Sequence, residues 1–110
     1  MNDELSSKRC LACEGGVAPL QPSEIKQLLQ QIPNWNLSEK EDSVWRRFEF
    51  KGFQKTVFFI NALAWIVNQE NHHPTLEVGY DYCIVRFTTH FVKGLTQNDF
   101  ICAAKIDKLI

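Results

Sequence analysis

Apolar and polar positions change period several times along this chain, and each change marks an element. Ile25, Leu28, Leu29 and Ile32 recur at one-face helical spacing behind Ser23, a candidate cap, and Pro33 stops the run. A first helix is expected over about Glu24 to Ile32. Trp35 and Leu37 alternate with polar neighbours, Glu41-Asp42-Ser43 is turn-like, and Val44, Phe48 and Phe50 alternate with Trp45, Arg47 and Glu49, closed by Gly52. That pattern predicts a two-stranded hairpin. From Phe53 to Glu70 a broad apolar face through Val57, Ile60, Ala64 and Val67, joined by Phe58, Phe59, Leu63 and Ile66, predicts a long central helix.

Pro74 then forces an extended entry to a second hairpin, with Leu76 and Val78 on one strand, Gly79-Tyr80-Asp81 at the turn, and Cys83, Val85, Phe87 and Thr89 alternating on the other. Thr96 with Asp99 three residues on resembles a capping box. It opens a last helix carrying Phe100, Ala103, Ala104 and Ile106. The order α-β-β-α-β-β-α predicts an α+β two-layer sandwich: a four-stranded antiparallel sheet with three helices on one face. Residues 1–21 have weak apolar patterning and are expected to be a flexible arm, leaving 22–110 as a single domain.

Composition narrows the function. Twelve basic against thirteen acidic residues give a net charge of -1, without the positive field that direct nucleic-acid binding requires. No stretch reaches the roughly 20 apolar residues of a membrane span, and the polar start lacks the apolar core of a signal peptide, so a cytoplasmic setting is expected. Cys10 and Cys13 form one Cys-x-x-Cys with no second pair at zinc-finger spacing. Free thiols in a reducing compartment are the plainer reading, with a redox or metal pair as the alternative.

The chain has three histidines, His72, His73 and His90. His72 falls at the end of the central helix, where the terminal carbonyls favour an imidazolium, and His73 precedes proline and must leave the helix. His90 ends the last strand. Imidazoles in different protonation states can serve as acid and base in one reaction. Two other readings stay open: a helix cap with two surface residues, and a three-histidine metal site, which adjacent histidines reach only with strain. Trp35, following the helix-breaking proline, could stand over a flat heterocycle, whereas Trp45 and Trp65 read as core.

Asn71-His72-His73-Pro74, then Thr88-Thr89-His90, Lys93-Gly94-Leu95-Thr96 and Asp99, resemble the pterin-4a-carbinolamine dehydratase family. Ile32-Pro33-Asn34-Trp35, Phe48 to Phe53 and Asn98 to Ile101 extend that resemblance over about Glu24 to Leu109, and the arm with its cysteines is similar to bacterial members associated with phenylalanine hydroxylase. The resemblance implies loss of water from 4a-hydroxytetrahydropterin to give quinonoid dihydropterin, with neither metal nor organic cofactor. It implies His72, His73 and His90 as the active-site histidines, His72 and His90 for proton transfer and His73 for orienting the pterin. Trp35, Glu70 and Thr89 would join His73 in binding it. A dimer or tetramer is also implied, as is a functional link to phenylalanine hydroxylase. A non-catalytic coactivator or other protein-binding role on the same fold is the alternative. Many members carry Glu four residues before the first histidine; Asn68 stands there in this chain, so a carboxylate beside that histidine would have to come from Glu70.

Overall fold

The computed structural model describes residues 5–11 and 18–110. Its elements are α1 (Pro22–Leu29), β1 (Asn36–Leu37), β2 (Val44–Glu49), α2 (Phe53–Glu70), β3 (Thr75–Val78), β4 (Tyr82–Phe87) and α3 (Gln97–Asp107). The sheet is antiparallel in the order β1-β2-β4-β3, so the second strands of the two hairpins pair at its centre. This is the expected α+β sandwich.

Register explains the core. Val44 faces Phe87, Arg46 faces Val85 and Phe48 faces Cys83, which places the apolar members of both central strands on one side. Against that side pack Phe59, Leu63 and Val67 of α2 and Phe100, Ile101, Ala103 and Ile106 of α3, all buried. Arg46 shares the core side but reaches its edge, where Nη1 lies 2.7 Å from Asp107 Oδ1.

Helix ends decide where the chemistry-bearing residues stand. Gly52 precedes α2 at φ +114, a conformation only glycine adopts freely, and its carbonyl accepts the buried Thr56 hydroxyl at 2.9 Å. At the other end Asn71 is left-handed (φ 53, ψ 40), and the His72 amide donates back to Val67 O at 3.2 Å. That closure turns the chain sharply away from the helix. α3 starts where expected: the Thr96 hydroxyl accepts the Asn98 amide, and Thr96 N donates to Asp99 Oδ2 at 3.0 Å.

Three expectations change. α1 begins at Pro22 rather than Glu24, because proline suits a first helical turn and the Glu24 carboxylate accepts the Gln21 amide at 2.9 Å; Ser23 is not the cap. The helix ends at Leu29, and the next residues tighten through Gln31 N to Leu28 O and Ile32 N to Leu29 O. Trp65, read as core, is 67% exposed on the outer side of α2.

The described part of the arm packs on the domain. Leu5 is buried in a 3-10 turn (Leu5–Ser7), and Lys105 Nζ of α3 donates to Ser6 O at 2.9 Å.

Candidate active site

Two chain reversals converge on one opening. The first is the turn after α2 that carries His72 and His73. The second follows β4, which stops at Phe87; His90 opens a 3-10 turn (His90–Val92) instead of ending the strand. Lys93 in the left-handed region completes that turn, and Thr89 bridges to Gly94. Between them lies a cavity of about 540 Å³ lined by all three histidines.

His72 is the anchored member. Its Nε2 sits 2.6 Å from Asp99 Oδ1, with the carboxylate fully buried and the imidazole side chain 12% exposed. The ring lies parallel to Phe87, 5.9 Å between centroids. The second carboxylate oxygen, Oδ2, accepts the Thr89 hydroxyl at 2.7 Å and the Thr96 amide at 3.0 Å. Oδ2 accepts from both of these partners, and an ionised Asp99, which has no hydrogen to donate, accepts from His72 through Oδ1 as well. Nε2 then carries a hydrogen, and Nδ1 is the nitrogen left to exchange a proton. His73 and His90 are exposed on the cavity rim.

From the sequence, Asp99 reads only as a capping residue and as part of a motif. Its position nine residues after His90, just inside a helix start, was the available signal. It supplies the carboxylate that Asn68 does not, for Asn68 is exposed on α2.

Glu70 serves a different purpose from the one expected. It lines the cavity, but its Oε1 accepts the Cys10 amide at 2.8 Å and its Oε2 pairs with Arg9 Nε at 2.9 Å, with Lys105 Nζ at 3.8 Å. Burial pushes its carboxyl upward, but the Cys10 amide, Lys105 and Arg9 outweigh burial and hold it below the usual value of 4.5. Glu70 therefore fastens the arm. Asn98 does the same, donating from Nδ2 to Leu11 O at 2.6 Å and accepting the Leu11 amide at 3.0 Å. Cys10 and Leu11 consequently form one wall of the cavity, which nothing in the arm's sequence suggested.

Thr89 is also repositioned in meaning. It borders the cavity but is buried, and its hydroxyl is engaged by Asp99 and by Thr96 Oγ1 at 2.9 Å. Trp35 is a correction: it lies in the core, not among the cavity-lining residues, with its ring 5.9 Å from Phe87 and 6.1 Å from Phe48. Its indole N–H donates to Asp107 Oδ1 at 2.9 Å, and that satisfied donor lets an amphipathic ring be buried. Among the described residues, no three His, Cys, Asp or Glu side chains group as metal ligands. No helix among them is long and apolar enough to cross a membrane.

Comparison with known proteins places the chain in a family. Residues 18–109 match the model of the family described as pterin 4 alpha carbinolamine dehydratase. A relative from Legionella pneumophila (strain Corby) is 56% identical over 100% of this chain and 98% of its own length, and its name provisionally assigns it pterin-4-alpha-carbinolamine dehydratase. A similarly named relative from Nitrosospira multiformis is 49% identical over 97% of this chain and 93% of its own. Among solved structures, a Brucella melitensis protein described as a transcriptional coactivator/pterin dehydratase superimposes with TM-score 0.79 at 26% identity, covering 83% of this chain and 97% of that one. A pterin dehydratase-like protein described as a RuBisCO assembly factor shares the fold at TM-score 0.60 and 23% identity, over 69% of this chain and 88% of its own. The chain belongs to the pterin-4-alpha-carbinolamine dehydratase family, a family of hydro-lyases.

Proposed function

We propose that the cavity eliminates water from 4a-hydroxytetrahydropterin to give quinonoid dihydropterin by histidine acid–base catalysis, without a metal or organic cofactor. The observation that carries this reading is the His72–Asp99 pair at the cavity, facing two further histidines on its rim. Asp99 keeps Nε2–H in place throughout, so Nδ1 alone changes protonation. In the proposed step His72 gives its Nδ1 proton to the departing 4a-hydroxyl, which leaves as water. His90 takes the proton from the neighbouring ring nitrogen as the carbon–nitrogen double bond forms. His73 orients the pterin. Glu70 and Thr89 act on the substrate indirectly, through the arm and through Asp99.

The physiological setting we propose is cytoplasmic recycling of the cofactor of aromatic amino acid hydroxylases, with phenylalanine hydroxylase as the functional partner. We also propose a homo-oligomer, dimer or tetramer; Phe58 and Trp65, both exposed on α2, support self-association. A protein-binding or coactivator role is the second reading, favoured by the description of the Brucella protein. A buried carboxylate committed to a cavity imidazole favours the enzyme, since a binding surface has no need of one.

The test is stopped-flow dehydration of chemically generated 4a-hydroxytetrahydropterin. Acceleration over the uncatalysed reaction that survives chelator treatment is expected. No acceleration by folded protein would overturn the proposal, and loss on chelation with recovery on adding zinc would overturn its metal-free form.

A further inference from the structure

Spacing in the sequence couples Cys10 to Cys13, which lies outside the described residues. Packing couples Cys10 to a different thiol. Cys10 Sγ is 3.5 Å from Cys102 Sγ, 92 positions away on α3. The contact lies beneath the arm's wall of the cavity. Cys10 is half-buried and lines the opening, which makes it the more accessible of the two, whereas Cys102 is fully buried. Cys102 Sγ also approaches the carbonyl of His72 at 4.0 Å, the same residue whose amide donates to Val67 O.

The geometry points to a thiol-oxidation site: Cys10 and Cys102 react with a low-molecular-weight disulfide to form a reversible protein disulfide that locks the arm against α3. The two sulfurs already touch, and a bond of about 2.05 Å requires them to close by only about 1.5 Å, within reach of side-chain rotation. Nothing in this inference depends on the dehydratase reading.

The exchange has a defined order. Cys10, as thiolate, attacks one sulfur of the small disulfide; a Cys10 mixed disulfide forms and one small thiolate leaves. Cys102 then attacks the Cys10 sulfur, the mixed bond breaks, and the second small thiolate leaves and takes up the Cys102 proton. Two protein thiols are thereby oxidised by two electrons, and the small disulfide is reduced to two thiols. The hydrogen bond with Cys10, together with burial, holds the Cys102 thiol well above its ordinary range, so Cys102 does not begin the exchange. Cys10 does. Conversion of Cys10 to the mixed disulfide replaces that thiol contact and brings the resolving sulfur against its target. Cys83 is buried in β4 with its thiol pushed up to about 11 by burial, and it provides an internal control that stays reduced.

In the reduced protein the arm's wall is held by the hydrogen bonds and ion pairs of Glu70 and Asn98. In the oxidised protein it is covalently tied, and the link closes a loop long enough to restrict the unfolded chain substantially. A reducing cell opens it again, as expected of a regulatory rather than a structural disulfide.

The experiment is incubation of the full chain with glutathione disulfide, followed by non-reducing peptide mapping and thermal unfolding. A Cys10–Cys102 crosslinked peptide with loss of two hydrogens is expected. The melting temperature should rise on the order of 10 °C and return on adding reductant. Cys13→Ser should change neither result. Cys102→Ala should abolish the rise and leave a stable glutathione adduct on Cys10, and Cys10→Ala, at a half-buried position, should abolish crosslink and adduct together. A Cys10–Cys13 crosslink in the unsubstituted chain, a Cys10 adduct that never resolves there, or an unreactive Cys10 would each overturn the assignment.

Discussion

The floor and the rim of the cavity are built on opposite principles. On the floor, Asp99 is fully buried, and its two oxygens engage His72, Thr89 and Thr96, side chains and backbone from three parts of the chain. Such a network holds one geometry, because moving any member leaves a buried polar group unpaired. The rim carries His73, His90, Phe91 and Leu11, all exposed, with Leu11 on an arm that polar contacts hold in place. A reacting proton needs the floor's fixed direction. A ligand that must enter and leave needs the rim's latitude.

The largest effects should follow from breaking the floor. His72→Ala should lower kcat on the order of 10²–10⁴-fold in the stopped-flow assay, as removal of one acid–base partner does. His90→Ala should fall in the same range despite its exposure, because elimination requires both groups. The His72→Ala/His90→Ala double variant should lose less than the product of the singles. If both singles keep wild-type kcat with normal circular dichroism, the proposed division of work is wrong.

Asp99→Asn tests the floor without removing an imidazole. An amide nitrogen facing His72 would make Nε2 the acceptor and move the hydrogen to Nδ1, the wrong tautomer for delivery from a protonated ring held in place. kcat should drop on the order of 10²-fold. Thr89 and Thr96 also lose a charged acceptor, so stability should fall by about 1–3 kcal/mol in urea titration. Undiminished kcat in a folded Asp99→Asn protein would reduce Asp99 to a helix cap.

What could be read from the chain follows the same division. The alternation Val44, Phe48 against Cys83, Val85, Phe87 was legible because strand period alone places those residues on one side of the sheet. The ends of α2 were legible through Gly52 and the run to Pro74, and so were the three histidines as a group. The His72–Asp99 bond was not: it joins positions 27 apart on two elements whose packing angle no local pattern encodes. Trp35 failed for a related reason, since the Asp107 acceptor that permits its burial lies 72 residues away. His90 reads as the end of the strand, whereas it opens a 3-10 turn that closes on the left-handed Lys93, a residue type that gives no warning. Cys10 shows the limit most clearly, because its near neighbour in sequence drew attention from the sulfur it touches.

The rim should respond more weakly and in a different parameter. His73→Ala should raise KM about 5- to 10-fold with kcat near wild type, the expected pattern when an interaction is made equally to bound substrate and transition state. Leu11→Ala should do the same to a smaller degree, about 2- to 5-fold, since it removes apolar contact from one wall. A fall in kcat without change in KM for His73→Ala would move His73 from the rim's role to the floor's.

The smallest effect separates the rim's own support from the floor. Glu70 is held as a carboxylate by Cys10, Lys105 and Arg9 more than burial opposes it, so its pKa in the folded chain lies below the ordinary 4.5. A depressed pKa means that the unfolded or detached form takes up the proton more readily. The stabilisation is therefore complete above about 4.5 and is lost as pH falls through the lower, folded value. Arg9 is largely exposed, so its share is small; the whole contribution is expected to be about 1 kcal/mol. Protection of the Cys10 amide against hydrogen exchange reports the arm directly, because that amide donates to Glu70. Corrected for the intrinsic pH dependence of exchange, its protection should be constant from neutral pH to about 5 and fall below 4.5. In Glu70→Gln it should be lower throughout and flat over the same range. Amides of β4 should keep their protection in both proteins across that window. A parallel loss in β4 would mean that acid is loosening the whole domain rather than releasing its arm.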